Sequence, residues 1–242
     1  RTPVAERADL SCVRRNYTSG EVLSPALHDE WIDAFGGEVI DRIGSAETGM
    51  AYLTNHPGAV LPGSSGTVTA LTEIKLVDDA GAEVPQGQPG TLMVRTDAAA
   101  FYYERAHEKS VTTFPGDKWV NTGDLFTQDE NDYFWFVGRA NDMIKVSGVW
   151  VSPLEIELGL QENDQVRECA ALALENEDGL LAIKAFVVLE DGEAATEATS
   201  DALKRFCKKK LAPHKYPITI TFMEELPKTG QGKMDRLALR EG

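Results

Sequence analysis

The feature that most limits how this chain can fold is the alternation of apolar runs and polar loops between Leu10 and Gly49. Leu10 to Tyr17 has the make-up of a short strand, closed by the polar turn Thr18-Ser19-Gly20-Glu21. Pro25 to Phe35 places Leu27, Trp31, Ile32 and Phe35 at helical spacing, and Gly36-Gly37 ends the pattern. Glu38 to Ile43 forms a second strand that runs into Gly44-Ser45-Ala46-Glu47-Thr48-Gly49. Strand, helix, strand, with a polar loop after each strand, predicts an α/β layer whose loops hold ligands.

From Gly66 the pattern changes. Val68–Val77, Gly90–Arg95 and Tyr133–Val137 are β-rich runs divided by turns such as Asp78-Asp79-Ala80-Gly81 and Pro89-Gly90. They predict a small β-barrel-like subdomain, with a polar boundary near Gly138 to Asp142. Beyond it, Met143 to Val151 reads as a hairpin turning at Ser147-Gly148. Ser152-Pro153-Leu154-Glu155 has the form of a capping box with proline at the first helical position, opening a helix to about Gln161. Arg167–Leu174 and Ala182–Leu189 are paired strands, and Glu190 to Ser200 is a loop. Ala202–Leu211 is a helix whose basic last turn, Lys208 to Lys210, suits the helix dipole, and Ile218–Met223 is a final strand. The fold class is thus α/β and α+β: a partial α/β layer with the barrel-like subdomain over residues 1–139, then a compact α+β module over residues 140–242.

Composition removes several functions. A net charge of −15 argues against nucleic acid, whose phosphate backbone demands a basic footprint. No apolar run approaches the roughly 18–20 residues that span a bilayer, so no membrane partner is expected. Three widely spaced cysteines, Cys12, Cys169 and Cys207, fit free thiols in a reducing cytoplasm better than a disulfide framework or zinc site. The four histidines show no metal spacing and receive no catalytic role.

Three stretches carry chemistry. In Leu226-Pro227-Lys228-Thr229-Gly230-Gln231-Gly232-Lys233 the glycines let the backbone approach a ligand, and Lys233 supplies a mobile point charge suited to phosphate. Upstream stand Asn121-Thr122-Gly123-Asp124-Leu125 and the run from Gly138-Arg139 through Gly148. With Ile43-Gly44-Ser45-Ala46-Glu47, this ordered set resembles the AMP-forming adenylate-forming superfamily of acyl- and aryl-CoA ligases, adenylation domains and beetle luciferases. Gly44 to Glu47, Val146 to Gly148 with Val151-Ser152-Pro153, and Leu211 to Pro217 look most like benzoate-type and medium-chain acyl-CoA ligases.

The resemblance implies that a carboxylate attacks the α-phosphorus of ATP, giving acyl-AMP and pyrophosphate, and that the thiol of CoA then displaces AMP. It makes Lys233 the catalytic cation bridging α-phosphate and carboxylate, and Glu47 both catalytic and the Mg2+ ligand. Asp124 would accept from the ribose hydroxyls, with Arg139 reinforcing that contact. Asp41, Arg42, Ile43, Gly44, Ser45 and Ala46 would lie along the adenine edge, and Ser19, Gly20 and Glu21 beside the nucleotide and acyl group. Ser147, Gly148 and Tyr216 are candidate CoA contacts, although Tyr216 serves equally as core packing. The small module would be a mobile lid turning about Asn141. Two departures stand out: Ala46 replaces the family's threonine before the glutamate, and Asn141 replaces a charged pivot.

The phosphate-gripping Ser/Thr/Gly-rich loop of the family, ending in Pro-Lys, is not in this chain. The chain is therefore expected to be the C-terminal portion of such a ligase, needing its N-terminal half as a fragment or separate chain, and inactive alone. A homodimer is among the states the resemblance allows. Two other readings stay open: an adenylation enzyme that loads a carrier protein's phosphopantetheine, and a catalytically silent nucleotide-binding fragment.

Overall fold

A computed structural model describes residues 10–146, 149–175, 181–212, 215–230 and 232–241. The chain divides into two compact units, Arg1–Ala140 and Asn141–Gly242.

In the first unit, β1 (Asn16–Thr18) pairs parallel with β2 (Val39–Ser45), and α1 (Pro25–Phe35) lies between them in sequence. Ser24 caps the helix: its hydroxyl accepts from the Leu27 amide at 3.2 Å, Pro25 opens the first turn, and Gly36 at φ 67° ends it. The apolar stripe of α1 is not the core face its spacing suggests, because Leu27 is 54% exposed and Ile32 37% exposed. What the helix buries instead is His28.

Strands β3 (Met50–Thr54) and β4 (Thr67–Val68) continue the sheet antiparallel in the order β1-β2-β3-β4. The β2–β3 register slips between Ile43 and Gly44, and a Cβ on Gly44 would fall 2.5 Å from the Met50 carbonyl oxygen. The glycine is required for two backbones to meet.

A second sheet follows, built from β5 (Glu73–Val77), β6 (Gly90–Arg95), β7 (Trp119–Gln128) and β8 (Phe134–Arg139). It is an antiparallel meander in sequence order, so the barrel-like expectation is corrected: among the described residues no strand closes it. The outer strand β8 is tied at its start to the first sheet's loop, where Ser65 donates to the Phe134 carbonyl and Phe134 to that of Gly66. Tyr52, Leu53, Leu76, Leu92, Val94, Phe126 and Phe134 form one core cluster. Strand β7 escaped the sequence reading because polar Asn121-Thr122-Gly123-Asp124 interrupts its alternation. A short helix, α2 (His107–Thr113), precedes it.

The second unit starts with β9 (Ile144–Val146) paired antiparallel to β10 (Val149–Val151), so the hairpin forms; its expected turn, Ser147-Gly148, lies outside the described residues. Helix α3 (Pro153–Gln161) begins at Pro153 without a side-chain cap hydrogen bond from Ser152. The capping box is thus not made, and the Glu155 carboxylate accepts from Lys215 Nζ at 2.8 Å instead. Strands β11 (Val166–Glu175) and β12 (Leu181–Leu189) pair antiparallel, and β13 (Thr219–Phe222) adds parallel to β12. Helix α4 (Glu197–Lys210) starts inside the expected loop, capped by Thr196, whose hydroxyl accepts from the Thr199 amide at 3.1 Å.

Alternation along β11 and β12 gives this sheet two apolar faces. Ala171, Ile183, Ala185 and Val187 pack with Ile156, Leu160, Leu203 and Cys207 of α3 and α4. Ala170, Leu172, Phe186 and Val188 pack with Leu226 and with Leu239 of the final helix α5 (Arg236–Glu241).

Candidate active site

Parallel pairing of β1 and β2 sends the loops after both strands to the same end of the sheet, where α/β layers bind ligands. Ser19, Gly20 and Glu21 are exposed on the first loop, and Thr18 stands opposite Asp41 in the register. Asp41 is buried, and its carboxyl is pushed up to about 6 by desolvation, against the pull of the Arg42 and Leu23 amides. Arg42 is exposed and lies 4.9 Å from the centre of the Tyr17 ring. Ile43 is half-buried against the core cluster.

Ala46 to Gly49 form the turn after β2, and Ala46 is exposed there. Thr48 is fully buried, with its hydroxyl 3.1 Å from the Ser45 carbonyl and 3.0 Å from that of Met50. That hydroxyl holds the turn, so it does not replace the one lost at Ala46. Glu47 accepts a short hydrogen bond from the Tyr103 hydroxyl, and its backbone carbonyl accepts from the Ala100 amide at 2.8 Å. Burial opposes ionisation of Glu47. The Tyr103 hydroxyl, Glu47's own amide, Ser45 and the Lys109 charge outweigh it and hold the carboxyl below its usual range.

The second cluster is built on β7 and β8. Gly123, at φ 69°, lets the strand turn, while the Thr122 hydroxyl accepts from the Asp124 amide at 3.1 Å and donates to the Leu92 carbonyl at 2.9 Å. Register places Asp124 opposite Arg139. The Arg139 Nε lies 2.9 Å from Asp124 Oδ1, in ion-pair range but not aligned as a hydrogen bond, so this buried oxygen keeps its accepting capacity. Desolvation raises the Asp124 carboxyl to about 6; Arg139 lowers it and the Glu47 charge raises it further. Tyr52, wholly buried, has its phenol pushed up first by burial and then by the Asp124 charge. Glu47 and Arg139 therefore both act electrostatically on Asp124, although the sequence separates them.

In the second unit Lys233 is exposed on a tight hairpin closed by a bridge between Lys228 and Met234. Thr229 donates to the Lys233 carbonyl at 2.7 Å, and Gly232 donates to that of Thr229 at 2.8 Å. Tyr216 is half-buried against the core, with Lys208 Nζ 4.5 Å from its ring centre. Ser147 and Gly148 lie outside the described residues. Sequence reasoning missed Tyr103: it stands in the aromatic run Phe101-Tyr102-Tyr103, and no local signal selects the third ring.

One carboxylate kept ionised, and a second holding an unspent acceptor beside a guanidinium, give the first unit groups that can oppose a cation and accept from hydroxyl donors. The chain belongs to the AMP-binding enzyme family: the family's model matches residues 2–103, and the model of the AMP-binding enzyme C-terminal domain matches residues 155–233. It is 39% identical to benzoate–CoA ligase of Thauera aromatica over 92% of this chain and 42% of that protein. It is likewise 39% identical to the 4-hydroxybenzoate–CoA/benzoate–CoA ligase of Rhodopseudomonas palustris, over 93% of this chain and 42% of that one. The crystal structure of the anthranilate CoA ligase AuaEII in complex with anthranoyl-AMP superposes with a TM-score of 0.92 at 39% identity, over 100% of this chain and 46% of that one. This chain spans less than half the length of these relatives.

Proposed function

We propose that this chain carries the ribose grip and the catalytic lysine of an acid–thiol ligase. Such an enzyme activates an aromatic or medium-chain carboxylic acid with ATP as acyl-AMP and transfers the acyl group to CoA. The observation that carries the reading is Asp124, buried with its proton affinity raised, with Oδ1 unspent and Arg139 beside it. A nucleotide ribose supplies hydroxyl donors that such an acceptor lacks among the described residues. The names of the relatives, ligases of benzoate, hydroxybenzoate and anthranilate, favour an aromatic acid.

In this reading Glu47 would hold Mg2+. Among the described residues no group of three or more His, Cys, Asp or Glu could cage a metal. A lone ionised carboxylate fits an ion that takes its remaining ligands from water and phosphate oxygens. The ion supplies charge neutralisation on the phosphates. Tyr103 keeps the carboxylate ionised and aimed, and Lys233 brings a cation to charge developing on the α-phosphate. Ser19 to Glu21 and Asp41 to Ala46 line the nucleotide, while Ser147, Gly148 and Tyr216 serve CoA as the second unit swings about Asn141.

Helix α1 carries the exposed apolar side chains Leu27 and Ile32. The buried His28 Nε2 and Trp31 Nε1, which have no hydrogen-bond partner in the described residues, lie on this helix. The three free thiols fit a cytoplasmic setting. The test supplies the N-terminal half and follows benzoate-dependent pyrophosphate release. Lys233→Ala should abolish that release and spare thioester formation from supplied benzoyl-AMP. Equal losses in both steps would refute the lysine's role.

A further inference from the structure

The lysine hairpin is held by something its own sequence does not contain. Its legs are anchored by Leu226 and Met234 against the apolar face of Ala170, Leu172, Phe186 and Val188. The Asp235 amide donates to the Pro227 carbonyl at 2.9 Å, closing the base. Apolar contacts of this kind resist withdrawal from the sheet but leave rotation and sliding soft, since they have no direction. Direction comes from the next residue. Arg236 Nη1 donates to the Ala171 carbonyl at 3.0 Å, and its Nη2 donates to Glu157 Oε2 at 2.9 Å and lies 2.8 Å from Oε1. Glu157, 7% exposed on α3, also accepts from the Ala171 amide at 2.7 Å through Oε1. One guanidinium and one carboxylate thus close a ring around both backbone polar groups of a single residue in β11.

We propose that this Glu157–Arg236–Ala171 clamp is the positioning device for Lys233. It fixes the hairpin's orientation on the sheet so that the ammonium is delivered in one geometry during acyl-adenylate formation. The inference rests on the lysine's role given above. Neither clamp residue touches substrate; both act through the backbone two to three residues from Lys233. A rigid planar fork against a carboxylate and a carbonyl defines an angle as well as a distance, which a lysine at position 236 could not do. The interactions join α3, β11 and the first residue of α5, so they exist only once the unit has folded.

The test separates orientation from stability. Removing one partner would strand a buried charge, so the main variant is the double substitution Glu157→Leu with Arg236→Met. A buried pair can often be replaced by apolar residues without loss of fold. Glu157→Gln, which keeps an acceptor for the Ala171 amide, is the companion. In the enzyme completed with its N-terminal half, the double variant should still unfold in one cooperative step, at a temperature lowered by the two Ala171 backbone groups it leaves unpaired. Adenylation should slow by about 10- to 100-fold, as a misplacement of an ångström would cause. Thioester formation from supplied acyl-AMP should stay within about twofold, since it does not use the lysine. Amide exchange at Thr229 and Asp235 should quicken by about tenfold while β11 and β12 amides stay protected. Glu157→Gln should show the same split at smaller size.

Adenylation at the parent rate in either variant would overturn the clamp, as would equal slowing of both steps or unchanged exchange in the hairpin. Lys233→Ala run in parallel distinguishes the two levels. If it leaves adenylation intact, the lysine's assigned role fails and the clamp's falls with it. If it abolishes adenylation while the double variant is unaffected, the clamp alone fails.

Discussion

Replacing Asp124 with asparagine should make the first unit more stable at neutral pH while weakening its hold on a nucleotide. The Asp124 carboxyl lies at about 6 in the fold against 3.8 for the free side chain, chiefly through desolvation. At about 1.4 kcal/mol per tenfold change in proton affinity, that difference corresponds to about 3 kcal/mol of folding free energy at pH 7. The sign follows from which state binds the proton. Below the unfolded value of 3.8 both states hold it and the penalty vanishes; as pH rises through about 6 the folded state must ionise a buried group and loses stability.

Asparagine has the same shape and no charge. Arg139, whose side chain is 60% exposed, is left facing water at little cost. Urea unfolding followed by the fluorescence of Trp119 and Trp135 should give matching stabilities for parent and variant near pH 4. A gap of about 2 to 3 kcal/mol in the variant's favour should open by pH 7. Asp41, raised in the same window, contributes equally to both proteins and cancels. Parallel stability curves from pH 4 to 7 would refute the reasoning. So would a variant that binds AMP as well as the parent in the complete enzyme, because the strained carboxylate would then have no purpose.

Three further substitutions test other parts of the structure. In Tyr103→Phe the Glu47 carboxyl, deprived of its hydroxyl donor, should titrate at higher pH; a carboxyl carbon titration by NMR that does not move would show the contact to be idle. Gly44→Ala should cost about 1 to 3 kcal/mol in denaturant unfolding, because the new Cβ would meet the Met50 carbonyl oxygen at 2.5 Å. Glu157→Ala, which leaves Arg236 without its carboxylate inside the second unit, should cost about 3 to 5 kcal/mol, and a loss under 1 kcal/mol would mean that water reaches the pair.

Much of the chain could be read in advance where neighbouring residues decide the outcome. Ser24-Pro25 and Gly36 bracket α1 through contacts made within a turn, so both ends lie where the sequence puts them. Strands β11 and β12 announce themselves by long β-compatible runs. Other readings failed where a remote partner intervened. Glu155 was drawn to Lys215 rather than back to the start of its own helix. The stripe of α1 stays exposed although its spacing is that of a core helix. Strand β7 forms despite its polar centre because β6 and β8 pair with it on both sides.

What the sequence singled out alone was the candidate set Glu47, Asp124, Arg139 and Lys233, since their chemistry and local turns travel with the residues themselves. Only the folded chain decided their condition. Tyr103 reaches Glu47 from 56 positions away, and Arg236 reaches Glu157 from 79. Proton affinity and orientation depend on burial and strand register, which are properties of segments brought together by folding and which no single stretch encodes.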